Sequence, residues 1–449
     1  MKHILILGAG RISRPLVRYL LGKRQYRLVV GTLDVPHAEE LLEGHPNGQV
    51  VHLDVSDIAA TDRLIGESDI VVSLLPATLN PQVARLALAH RRCLVNTSYV
   101  APELLALHDE AVRQGVLLLS EIGLDPGIDH MSAVRVIRRL THAGGTLTDF
   151  TSCCGGFPAP DANTNPWGYK FSWSHRAVML AGRNAARYLR DGQIVEIPGP
   201  ELFDHCWPYE VEGQGVFEMY PNRDSLKYVE PYGLKAIHGM FRGTLRYPGW
   251  CETMRAAAKL GLLELEERDW PAGTTYADFV QRLLPAGDGA PLVRRLADFV
   301  GIDPDSEAVA RLEWAGLLSD RPIPEKDRRS APLDVFGNRL ARLMVYKAGE
   351  RDMVALRHTF AAAFPDGHRE QITSSLVTAG DSFGDTAMAS TVSLPAAIAV
   401  HLILEGEIEA CGVQIPVLRE IYDPVLDELA DLGIALKETR STTYPGPLS

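Results

Sequence analysis

Cysteine is scarce and unpatterned in this chain of 449 residues. Its six cysteines (Cys93, Cys153, Cys154, Cys206, Cys251, Cys411) include no CxxC and no finger-like Cys/His spacing. That argues against a disulfide framework or a structural zinc and suits a reducing compartment. Positive charge is in deficit too: 45 Lys and Arg against 57 Asp and Glu leave a formal net charge of −12. Nucleic acid or an anionic membrane is disfavoured as a partner. No apolar run approaches the about 18 residues of a membrane span; Leu394–Leu404 is interrupted by Pro395 and His401. The apolar start, His3–Leu7, is too short for a signal peptide and runs straight into glycines. Internal repeats and low-complexity tracts are missing as well. The expectation is a cytoplasmic protein without a metal, in which any anionic ligand must be met by locally concentrated cations.

What is present is enough apolar residue for two or three cored domains, 46% hydrophobic against 23% charged. The first third alternates short apolar runs with helical periodicity. His3–Leu7, Arg27–Thr32, Val50–Val55, Ile70–Pro76, Arg92–Ser98 and Gly115–Gly123 read as strands. Continuous apolar strands separated by helices predict a parallel, doubly wound sheet. Beyond about Asp129 the alternation breaks. Strand patterns at 146–156, 192–197, 240–249, 353–364 and 369–380 predict a mixed or antiparallel sheet, with a hairpin turn at Pro365–His368. The stretch from 251 on reads as a helical insert, and the residues after Asp385 as helical again.

Gly8-Ala9-Gly10-Arg11-Ile12-Ser13 follows the first strand and opens a helix. Gly8 allows the tight turn, Gly10 lets backbone approach a pyrophosphate, and Ser13 is small enough for close helix packing. This is a dinucleotide fingerprint. At the end of the second strand, Asp34 stands where a carboxylate bonds the adenosine ribose, which favours NAD over NADP; the alternative is a helix-capping aspartate. Two further segments, Gly123–Met131 and Cys153–Trp173, are too polar to be core. In Leu124-Asp125-Pro126-Gly127, Asp125 can bind an amine or move a proton, or simply shape the turn. In Asn96-Thr97-Ser98-Tyr99, Ser98 and Tyr99 can hydrogen-bond a substrate or pack a loop. Cys154 can relay a proton or be an inert buried thiol. His130 can support the site or be structural. Lys170, Arg176, Arg223 and Arg246 are candidate carboxylate grips on an otherwise acidic chain.

The stretches NTSYV (Asn96–Val100), EIGLDPGIDHM (Glu121–Met131), CGGFPAPDANTNPWGYKFSWS (Cys154–Ser174), YPNRDS (Tyr220–Ser225), FRGTLRYPGW (Phe241–Trp250) and LPAAIAVHLILEGEI carry a further reading. With them the chain resembles the L-glutamate-forming saccharopine dehydrogenases over essentially its whole length. The resemblance implies an α/β fold: a variant Rossmann doubly wound domain, a mixed-sheet α+β substrate domain and a small helical insert. The corresponding boundaries are 1–128 for the Rossmann domain, 129–250 with 336–393 for the mixed-sheet substrate and dimerisation domain, 251–335 for the insert, and 394–449 for helices returning to the Rossmann domain. It implies NAD(P)-linked interconversion of saccharopine with glutamate and 2-aminoadipate 6-semialdehyde. Ser98, Tyr99, Asp125, Arg223, Thr244 and Arg246 match the family's saccharopine contacts. Gly10, Arg11, Ile12, Ser13, Asp54, Val55, Thr97, Leu124, Pro126 and Ser174 match the nucleotide side. Cys154, Tyr99 and Asp125 fall on positions considered for acid–base work. NADP-type members resemble Ser-Arg-Thr at the end of strand two; here Leu33 takes the arginine's place and Asp34 follows.

A small amino-acid substrate and a homodimer are expected. The competing readings are another amine–aldehyde reductive condensation, such as carboxynorspermidine synthesis, and a nucleotide-binding sensor without catalysis. A polycationic substrate would want acidic residues, whereas Lys170, Arg223 and Arg246 point to carboxylates. A sensor would be expected to have lost some of Tyr99, Asp125, Cys154 and Arg223, and all are present.

Overall fold

Short runs rich in Ile, Leu and Val become the strands of a parallel sheet whose inner residues lose all contact with water. In the computed structural model, which describes residues 1–287 and 289–441, these strands are Lys2–Leu7 (β1), Tyr26–Thr32 (β2), Gly48–His52 (β3), Ile70–Ser73 (β4), Cys93–Asn96 (β5) and Leu117–Leu119 (β6). The sheet has seven strands, with Gly412–Gln414 at one edge followed by β6, β5, β4, β1, β2 and β3. All neighbours are parallel. The strand order reverses between β1 and β4, which opens a crevice at their carboxyl ends. The expected doubly wound fold is found.

This sheet belongs to one of two compact units, formed by Met1–Thr146, Ala363–His368 and Ser374–Thr439. Its helix Ala387–Glu405 is apolar on nearly every face. By length and composition alone it could cross a membrane, yet 67% of that window is buried inside the protein. It packs on the helix Ser13–Gly22 and on β4 and β5. Its polar end is anchored: the Tyr26 hydroxyl meets His401 Nδ1 at 2.6 Å and donates to Glu405 at 3.0 Å.

The second unit comprises Leu147–Ala362, Arg369–Thr373 and, at the end of the described residues, Arg440 and Ser441. Thr146–Pro158 (β7), Ala186–Arg190 (β8), Gln193–Ile197 (β9), Trp207–Val211 (β10), Gly215–Pro221 (β11) and Gly239–Arg246 (β12) build a mixed sheet. β11 lies antiparallel to β10 and β12, while β12 runs parallel to β7. The strand Asp352–Ala363 flanks β7 on its other side. The core is aromatic: Phe157 stacks on Phe217 at 4.8 Å, and Trp250 lies 6.0 Å from Trp167. Helices Trp250–Lys259, Tyr276–Leu283, Leu292–Val300 and Glu307–Trp314 occupy the stretch expected to be helical. The Thr275–Asp278 capping box starts the second of them. The hairpin at Pro365–His368 forms, closed by the Phe364 amide donating to the His368 carbonyl.

Candidate functional site

The nucleotide crevice is made by backbone. Gly8 has a φ of +92°, and a Cβ there would come within 3.3 Å of the Leu74 carbonyl oxygen. Only glycine fits such a turn without strain. Gly10 is exposed, with nothing within 4 Å of the place a Cβ would take. The buried Ser13 hydroxyl donates to the Gly10 carbonyl at 2.7 Å and ties the loop to the helix it starts. That helix has no acid in its first turn, so its positive dipole end suits a pyrophosphate. Arg11 is exposed and Ile12 half-buried on the same turn. These residues fit a dinucleotide.

Asp34 lies just past β2, exposed, and its carboxylate caps the helix Val35–Leu42 by accepting from the His37 amide at 3.2 Å. Leu33 beside it is 65% exposed. Asp54, after β3, accepts from the Ser56 amide at 2.9 Å and its hydroxyl at 2.7 Å, and these bonds hold its carboxyl below the usual range. Val55 is buried, and its carbonyl accepts from Gln82 at 2.8 Å.

At the carboxyl ends of β5 and β6 the segments Asn96–Tyr99 and Leu124–Gly127 meet. The Tyr99 hydroxyl donates to Asp125 at 2.9 Å. Thr97 abuts Gly123, which with the buried Leu124 and the cis-bonded Pro126 forms the turn that carries Asp125. Beneath them lies an arrangement the sequence reading overlooked. Glu121, 2% exposed and with a left-handed φ of 58°, accepts from the Val100 amide at 3.0 Å and meets His130 Nε2 at 2.8 Å. Its own amide donates to the Ser98 carbonyl at 3.0 Å. Asp129, next to His130, accepts from the Gly127 amide at 2.6 Å. Glu121 thus links the Ser98–Val100 loop to the helix Ile128–His142 that follows the Asp125 turn. A second buried set joins neighbouring strands: Asn96 donates to Ser120 at 2.8 Å and accepts from the Ser98 amide at 3.0 Å. Single acids and amides inside apolar strand ends were the only signal of these contacts in the sequence.

In the second unit, register gathers the other candidates. Cys154 on β7 pairs with Thr244 on β12, which pairs with Tyr220 on β11. Cross-strand partners share a face, as do residues two apart, so Arg246 joins them. Arg246 is 7% exposed, with its guanidinium 5.0 Å from the Tyr169 ring and 5.4 Å from the Trp250 ring. Its NH1 donates to the Leu245 carbonyl at 2.8 Å. Its Nε has no hydrogen-bond partner among the described residues, and Glu218, its register partner on β11, turns its carboxylate to the Gly249 and Cys251 amides instead. Burial pushes the Tyr220 phenol up to about 12, with Arg246 pulling the other way.

Three further candidates lie on other segments of this unit. Arg223 sits on the loop after β11 with a left-handed φ of 55°, and its carbonyl accepts from the Arg187 amide at 3.0 Å. Lys170 is buried and already paired, to Glu350 at 2.5 Å and the Thr164 hydroxyl at 2.9 Å. Ser174 caps the helix His175–Ala181 by accepting from the Ala177 amide at 3.3 Å.

A parallel sheet with a glycine turn at its reversal point, joined to a mixed-sheet unit carrying a buried guanidinium, defines a Rossmann-type oxidoreductase of two units. The chain belongs to the saccharopine dehydrogenase family: residues 4–119 match its family's NADP binding domain and residues 123–434 its C-terminal domain. Over 98% of this chain it is 36% identical to the saccharopine dehydrogenase [NADP(+), L-glutamate-forming] of Schizosaccharomyces pombe, covering 99% of that protein. The Saccharomyces cerevisiae enzyme of the same name is 37% identical, with 97% of this chain and 99% of that one covered. The structure of apo saccharopine dehydrogenase (L-Glu forming) from Saccharomyces cerevisiae superposes with a TM-score of 0.87 at 36% identity, covering 98% of this chain and 100% of that one.

Proposed function

We propose that the chain is a saccharopine dehydrogenase of the L-glutamate-forming type. In the oxidative direction saccharopine, an oxidised nicotinamide dinucleotide and water give L-glutamate, 2-aminoadipate 6-semialdehyde, the reduced nucleotide and a proton. The observation that carries the substrate class is Arg246: a buried guanidinium without a carboxylate partner is matched to an incoming carboxylate. The family match makes that substrate saccharopine.

When bound, the nicotinamide supplies the two-electron acceptor. The turn Gly8–Ser13 would hold its pyrophosphate, with Asp34, Asp54, Val55, Thr97, Leu124, Pro126 and Ser174 assigned to the remaining nucleotide contacts. The chain's own work is binding and proton movement. Arg246, with Arg223 and Thr244, fixes substrate carboxylates. Ser98 and Tyr99 orient the substrate, and Tyr99, by donating to Asp125, holds that carboxylate in place for the reacting amine. The Cys154 thiol, beside Thr244, is the remaining candidate for proton transfer. Lys170 is assigned a supporting place through Glu350.

Between the two nucleotides we infer a preference for NAD. The relatives are named for NADP(+), but Leu33 and Asp34 offer no cation to a 2′-phosphate at this point of the chain, and the carboxylate repels it. A cytoplasmic setting and a homodimer complete the reading; fractionation and light scattering check them. The deciding experiment follows reduced nucleotide by absorbance when saccharopine is added with NAD or with NADP. Absence of turnover with both, in a chain that still binds nucleotide, would favour the sensor reading.

A further inference from the structure

We propose that Cys206, Glu218 and Cys251 form a binding site for one soft divalent metal ion of the zinc type. Cys206 comes from the link between the turn Gly199–Asp204 and β10, Glu218 from β11, and Cys251 from the first turn of the helix Trp250–Lys259. The two sulfurs and a carboxylate oxygen all lie within 4.8 Å of one another, the one group of its kind among the described residues. Their positions in sequence hid this, because no two of them share a ligand-like spacing.

Two features of the surroundings suit an ion. Glu218 is not free to swing: one oxygen accepts the Gly249 amide at 2.7 Å and the other the Cys251 amide at 2.8 Å. Each oxygen keeps a second lone pair, and such hydrogen bonding to a ligating carboxylate is what orients it toward a metal. Cys251 is 2% exposed, whereas Cys206 and Glu218 are half-buried, which leaves a path for entry and room for water in a fourth position. Two thiolates and one carboxylate select zinc, cadmium or cobalt(II) over magnesium or calcium. On binding, the ion displaces the two thiol protons to solvent, so the net charge of the site, one negative, is unchanged. The other use of neighbouring thiols is a disulfide. A disulfide would join the two sulfurs alone, whereas a dication takes a ligand atom from all three groups. Loaded, the site would tie the Cys206 link to β11 and to the helix start.

The test strips the full chain with a chelator and titrates it with cobalt(II). Near-ultraviolet thiolate-to-cobalt charge-transfer absorbance should rise to one equivalent. Cys206→Ser and Cys251→Ser should each weaken binding by about tenfold or more, and Cys93→Ser should leave it unchanged. Zinc should slow alkylation of Cys206 and raise the Tm of the unaltered chain. Because Cys251 is packed in the core, its variant can fail to fold; half-buried Cys206 and the protection measurement on the unaltered chain then decide. Cobalt binding without a thiolate band, a band that survives Cys206→Ser, or a Cys206–Cys251 disulfide in chain isolated under alkylation would each overturn the proposal.

Discussion

Burying a guanidinium without its counter-charge costs stability, and Arg246 holds that cost in the folded enzyme. Its replacement by Met keeps an apolar stem near Tyr169 and Trp250 and removes the charge together with the bond to the Leu245 carbonyl. Arg246→Met should leave Tm unchanged or higher, while KM for saccharopine rises by ~2–3 kcal/mol, roughly 30- to 150-fold. A KM within twofold of the unaltered enzyme would refute the carboxylate grip. Glu121 runs the other way. Glu121→Ala leaves the Val100 amide and the His130 ring without their buried partner, at about 3 kcal/mol. Urea unfolding should show that loss, and the saccharopine KM should rise with it because the Tyr99 loop is released. Glu121→Gln keeps an acceptor for Val100 and should recover much of both. For Asp125→Asn, shape survives and charge does not, so the pH profile of kcat/KM should lose or shift a limb; an unchanged profile makes Asp125 a turn residue. Asp125 was legible in sequence because a strand end followed by Pro-Gly advertises it. Glu121 was not, since its importance depends on Val100 and His130, which lie 21 and 9 positions away.

At the level of elements, the end of β2 decides the nucleotide. Asp34 already caps a helix, so a good test keeps the cap: Asp34→Thr with Leu33→Arg supplies both a capping oxygen and a cation. The ratio of kcat/KM for NADP over NAD should increase at least about tenfold in that double variant, with little change in Tm. An unaltered enzyme that prefers NADP would place discrimination elsewhere, on Arg11 among others. Elements were legible where burial was two-sided, as in β1, β2, β4 and β5, whose apolar runs are continuous. They were missed in β8, β10 and β11. There exposure alternates or partly opens, as in Trp207–Val211 with Pro208 within it, and the apolar pattern is too thin to mark a strand. The gathering of Cys154, Thr244 and Arg246 on one face was invisible for the same reason: register between distant strands is a property of pairing, not of spacing.

For the molecule as a whole, nucleotide binding should act as a fold stabiliser. At 100 times its Kd, a ligand bound only by the folded state adds about 2.7 kcal/mol, which differential scanning fluorimetry reads as a rise in Tm. Gly8→Ala should abolish that rise, because a Cβ would crowd the Leu74 carbonyl at a left-handed φ; a persisting rise would mean that the nucleotide binds away from this turn. The helix Ala387–Glu405 has a further consequence, in the order of synthesis. It covers the apolar side of Ser13–Gly22, where Leu16, Val17 and Leu20 have no exposure. That covering helix leaves the ribosome only after the whole of Leu147–Ala362 has been made. The nascent N-terminal sheet therefore waits, with an oily flank uncovered, while most of the second unit is translated. It is in that interval, rather than in the finished enzyme, that a chaperone has most to hold.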